Sequence, residues 1–114
     1  MKEIKAFIRP NKLNEIYGTL KQEGFCCVSI FQGEGTGKFT DPREKFPSLD
    51  FPYLHDKVVK MEMVIKDTFV DQVTEIIQQQ GSTGKSGDGL IYITDVNEVI
   101  RVRDGQKGEN ILHH

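Results

Sequence analysis

No stretch of this sequence stays apolar long enough to cross a bilayer. Nothing approaches the ~18 residues that a spanning helix needs, and the opening MKEIKAFIRP lacks the apolar core of a secretory signal. The chain therefore reads as cytoplasmic, with no direct membrane insertion. An excess of one charge is missing too: 15 basic and 17 acidic residues spread along 114 positions leave a formal net charge of -2. That balance excludes the basic surface a nucleic acid requires, while small anions stay open as ligands. Cysteine is nearly absent. Cys26 and Cys27 are the only two, and being adjacent they cannot staple distant parts of the chain, which fits a reducing compartment. Their simplest reading is as two small apolar residues in a strand. No Ser/His/Asp or Cys/His pattern and no paired carboxylates stand in a recognisable catalytic setting, so the chain is not read as an enzyme.

What is present is periodicity. Residues 2–9 alternate, with Ile4, Ala6 and Ile8 on one face and Pro10 closing the run, as in a strand. Asn11 then stands where a helix cap belongs, ahead of a stripe of Leu13, Ile16, Tyr17 and Leu20 that Gly24 ends. Residues 25–32 read as a second strand, and 57–66 as a third with Val59, Met61, Met63 and Ile65 inward. A second helix carries Phe69, Val70, Val73, Ile76 and Ile77 up to Gly81, and residues 90–94 form the next strand. Strand, helix, strand, repeated once, predicts a ferredoxin-like α+β sandwich of βαββαβ order. A short helical turn over 96–98 and a last strand over 99–103 are expected after it. At this length one domain is expected, over residues 1–112, and His113 and His114 read as a tag remnant.

Residues 33–56 break the periodicity. Three of the four prolines lie there, yet Phe39, Phe46, Leu49, Phe51, Tyr53 and Leu54 make the stretch rich in apolar side chains. Long loops in compact domains are usually functional or disordered, and disordered segments are poor in aromatics, so the expectation is a loop that a partner or ligand orders.

A second glycine-rich stretch, GSTGKSGDGL over 81–90, has a lysine and a serine after a glycine and so resembles a phosphate-binding loop of an NTPase. The spacing rules that out, because the first glycine of that pattern would fall at Gln79. The context is also inverted, since this loop leaves a helix and enters a strand. What remains is a candidate anion nest in which Gly84, Gly87 and Gly89 let backbone N–H groups turn toward one point. Arg101 and Arg103, two apart on the expected last strand, would project from one face and suit a polyphosphate. Gly33, Gly35 and Gly37 with Lys38 form another glycine cluster at the start of the long loop.

Four segments together resemble the PII signal-transduction proteins over nearly the whole chain: MKEIKAFIRPNKL, GEGTGK, TGKSGDGLIYI and VIRVRDGQKGEN. The resemblance implies a homotrimer that binds ATP or ADP, with magnesium as companion, in clefts between subunits. It also implies a regulator whose long loop docks on a target protein, a membrane transporter being one such target. Carried over by position, Ser29, Gly35, Gly37, Lys38, Val64, Gly87, Asp88, Gly89, Leu90, Arg101 and Arg103 would line the nucleotide site. Phe39, Phe46, Phe51 and Tyr53 would carry the docking loop. Three departures stand out: Leu90 replaces a lysine, Phe39 a glutamine, and Phe51 a tyrosine that some bacterial members modify. A different reading, a metal-responsive binding protein linked to metal transport, would use Cys26, Cys27 and His55; on a strand, however, adjacent cysteines point to opposite faces and chelate poorly.

Overall fold

A computed structural model describes residues 1–37 and 55–113. Four strands, β1 (Lys2–Ile8), β2 (Ser29–Gly35), β3 (Asp56–Ile65) and β4 (Leu90–Asp95), form one sheet in the order β2-β3-β1-β4. Every neighbouring pair is antiparallel. Helices α1 (Leu13–Gln22) and α2 (Val70–Gly81) follow β1 and β3. This is the ferredoxin-like α+β arrangement that the strand and helix order predicts.

The alternation in each strand decides which face the helices cover. Ile4, Ala6 and Ile8 of β1 and Val59, Met61, Met63 and Ile65 of β3 are buried, as are Ile16 and Leu20 of α1 and Val73 and Ile77 of α2. Burying each of the larger of these side chains stabilises the fold by roughly 1.5–3 kcal/mol, and Ala6 contributes less. The helices meet closely at Gly81, where an added Cβ would stand 3.2 Å from Ile16 Cδ1.

Three elements differ from the sequence expectation. Helix α1 is entered through a 3-10 turn, Pro10–Lys12, closed by Lys12 N–H donating to Arg9 O at 3.0 Å; Asn11 lies inside this turn and caps nothing. Strand β2 begins at Ser29, four residues later than expected. The cause is the end of α1. Gly24, at φ +95°, sends Phe25 N–H back to Leu20 O at 2.8 Å, while its own N–H donates to Lys21 O at 3.1 Å. This Schellman closure drives the Phe25 ring into the core, edge-on to Phe69 at 5.4 Å, and takes residues 25–28 out of the sheet.

The third difference is at the end of the chain. Neither the helical turn over 96–98 nor the strand over 99–103 forms. A tight hairpin takes their place, with an Ile100–Lys107 bridge, Arg101 N–H donating to Gln106 O at 2.8 Å, and Gly105 N–H to Arg101 O at 2.8 Å. Arg101 and Arg103 therefore do not share a strand face. Within the hairpin Arg101 forks onto Asp104, at 3.1 and 2.8 Å, and reaches Gln106 Oε1 at 2.8 Å.

Candidate nucleotide site

The pairing of Glu34 with Lys57 and of Gly35 with Asp56 brings the chain back beside the point where it leaves the sheet. The glycines leave room there. Val58 Cγ1 would be the nearest contact of a Cβ at Gly33 or Gly35, at 3.8 and 3.7 Å. The second glycine loop arrives at the same place because β4 pairs with β1, Leu90 standing opposite Phe7. The result is a cleft of about 410 Å³ that Gly35, Thr36, Gly37, Asp56, Lys57 and Val58 share with Arg9, Gly87, Gly89 and Leu90. Two glycine clusters some fifty positions apart in sequence thus face one space.

Asp88 organises this loop from within. Its carboxylate accepts from Thr83 N–H at 2.9 Å, Thr83 Oγ1 at 2.6 Å and Gly84 N–H at 3.0 Å. On its other side Arg9 Nε donates to it at 2.9 Å, and Arg9 Nη2 donates to Ser86 O at 2.7 Å. Within the expected anion nest, the Thr83 and Gly84 N–H groups are thus turned onto the chain's own carboxylate. Burial on its own would raise the Asp88 pKa; the hydrogen bonds from Thr83, Arg9 and Gly84 outweigh it and hold the carboxyl far below the ordinary range. Gly89 then passes over β1 at φ +105°, so close that a Cβ would lie 1.7 Å from Phe7 O.

Arg9 escapes the sequence reading, which includes Thr83 in the glycine-rich stretch but gives it no partner. Arg9 follows an apolar strand and precedes a proline, which suggests a solvated strand end; its side chain is instead only 5% exposed. Its partner lies 79 residues away, and local pattern carries no trace of that.

Ser29 and Val64 do not join this cleft. They border a separate depression with Glu3, Cys27 and Glu62, at the other end of β3. Val58 and Val64 are six residues apart on one strand, which separates the two places by about 20 Å. Arg101 and Arg103 sit on the terminal hairpin, Arg101 27% exposed and Arg103 77% exposed. Lys38, Phe39, Phe46, Phe51 and Tyr53 lie outside the described residues. Cys26 and Cys27 are exposed, and among the described residues no group of three His, Cys, Asp or Glu side chains could hold a metal ion. No helix among the described residues is long and apolar enough to cross a membrane.

Comparison with known proteins gives this geometry a context. The family model for nitrogen regulatory protein P-II matches residues 1–106. A nitrogen regulatory protein P-II of Azospirillum brasilense is 36% identical over 112 residues, covering 98% of this chain and 100% of its own length. Nitrogen regulatory protein P-II 2 of Methanothermobacter thermautotrophicus is 37% identical over 112 residues, 98% of this chain and 97% of its own. The P-II protein of Porphyra purpurea is 36% identical over 103 residues, 90% of this chain and 92% of its own. Similarity of this extent spans nearly the whole chain, and the chain belongs to the nitrogen regulatory protein P-II family, whose members are regulatory proteins.

Proposed function

We propose that the chain is an adenine-nucleotide-responsive regulator, binding ATP or ADP between copies of itself and controlling a target protein through the segment 38–54. One observation carries the reading: both glycine clusters open onto a single cleft, on a chain of this family. Gly87 and Gly89 bring backbone close to a ligand without Cβ atoms in the way, as phosphates require. Lys57 adds a cation at the rim, and Asp56 is the carboxylate lining the cleft, suited to a magnesium ion held mainly by phosphate oxygens.

The separation of this cleft from the Ser29 and Val64 depression supports a site closed between subunits. One nucleotide cannot be held at both places on one chain when they lie about 20 Å apart along β3. Association also answers a feature of the sheet. Its helix-free face leaves Phe31, Leu90 and Tyr92 substantially exposed, with Tyr92 against Phe7 at 5.4 Å and Lys60 over the Phe31 ring at 4.7 Å. A sheet needs cover on an apolar face, and further copies of the chain supply it in a homotrimer. The metal-transport reading gains no observation from the relatives, and the function stays regulatory, without turnover as its purpose.

Calorimetry of nucleotide-free protein with ATP and with ADP tests the proposal. Saturable binding of each is expected, at up to one nucleotide per chain. Absence of heat and of thermal stabilisation with both nucleotides at millimolar concentration would refute it.

A further inference from the structure

The two cysteines do not behave as adjacent strand residues. Because the Phe25 closure displaces residues 26–28 from the sheet, Cys26 and Cys27 turn the same way, and their Sγ atoms stand 3.6 Å apart at the surface. With bonds of about 2.3 Å to a shared centre, that separation sets an S–centre–S angle of roughly 100°. Such a bent angle suits a pyramidal centre and not a linear two-coordinate ion. Among the described residues no third His, Cys, Asp or Glu side chain joins them. We propose that Cys26 and Cys27 form a bidentate dithiol site for a soft trivalent centre, of the class represented by monosubstituted trivalent arsenicals.

The chemistry balances without an oxidant. Each S–H bond breaks, two As–S bonds form, and the two protons leave with the arsenical oxygen as water; arsenic stays trivalent and the sulfurs are not oxidised. Softness of both partners favours the bonds. The second sulfur adds as an intramolecular step, at an effective concentration that makes two-point attachment 10²–10⁴-fold tighter than one. Cys27 also borders the depression that holds Ser29 and Val64, so an occupied dithiol stands beside it.

The experiment titrates phenylarsine oxide into fully reduced protein and into Cys26→Ser and Cys27→Ser, each of which keeps one thiol because the chain has only two cysteines. Circular dichroism checks that the variants are folded. One arsenical per chain is expected in the wild type, with both thiols shielded from alkylation, persistence against excess monothiol and release by a small dithiol. Each serine variant should bind at least 100-fold more weakly. Equal binding by wild type and either variant, or a thiol that remains open to alkylation at saturation, would overturn the proposal.

Discussion

At the scale of single residues, Gly89 and Asp88 carry the cleft for different reasons. A side chain at Gly89 meets both a positive φ and the Phe7 carbonyl at 1.7 Å, and the obstacle is backbone that cannot rotate aside. Gly89→Ala should therefore cost on the order of 3 kcal/mol or more, read as a shift of the urea midpoint. Asp88 acts through charge. Its folded-state pKa lies below the unfolded value, so its contribution is complete above about pH 4 and is lost as pH falls toward the folded value. Asp88→Asn exchanges the charged acceptor of the Arg9 Nε, Thr83 and Gly84 hydrogen bonds for a neutral amide and should cost about 1.5–3 kcal/mol at pH 7. The gap between variant and wild type should narrow in melts taken below pH 4; a gap independent of pH down to 2.5 would mean that the carboxylate charge contributes nothing. The glycine and the aspartate were legible in the sequence as a turn that approaches something closely. What they approach was not, since Phe7 and Arg9 are brought there by the pairing of β1 with β4.

Elements show why some of the sequence was readable and some not. Where burial alternates on one strand, as in β1 and β3, period alone identifies the element and its inward face. The misread segments are those in which hydrogen bonding outweighs periodicity. Phe25 looks like a strand residue, yet Gly24 commits it to closing α1 and so moves Cys26 and Cys27 out of the sheet. Residues 99–103 alternate like a strand, yet Asp104, Gly105 and Gln106 bend the chain, with Asp104 also accepting from Gln106 N–H at 3.1 Å. The hairpin separates the two arginines. Arg101 is already tied to Asp104, whose carboxyl the Arg101 hydrogen bond holds below its ordinary pKa. Arg103 is largely exposed, 4.0 Å from the same carboxylate. Arg103→Ala should thus leave thermal stability within ~0.5 kcal/mol while weakening ATP and ADP by roughly tenfold, the worth of one charged hydrogen bond. Arg101→Ala should lower both affinity and the melting temperature. Calorimetry and melts on the pair separate the roles; unchanged affinity in both variants would return the arginines to the status of a solvated turn.

At the scale of the whole molecule seven of the sequence-derived site residues fall into two groups that one chain holds apart, with Arg101 and Arg103 of the terminal hairpin in neither. Gly35, Gly37, Gly87, Gly89 and Leu90 meet in one cleft, while Ser29 and Val64 meet in another. Light scattering should return three times the 13.0 kDa subunit mass. A mixing experiment then asks how the halves combine. Lys57→Glu reverses the cation at the rim of the glycine-lined cleft, at an exposed side chain of β3, and should repel phosphates. Ser29→Trp fills the other depression from an exposed edge-strand position. Each variant alone should bind almost no nucleotide, for opposite reasons. If sites close between copies, trimers reassembled from an equal mixture place an intact cleft of one chain beside an intact depression of another at about a quarter of the interfaces. Calorimetry on that mixture should therefore recover up to about a quarter of the wild-type sites at wild-type affinity, since an intact site contains no altered residue. If instead each chain completes its own site, every chain in the mixture still carries a defect and mixing restores nothing. That outcome, from variants shown to exchange subunits, would place the whole nucleotide within one chain and remove the role assigned to the trimer.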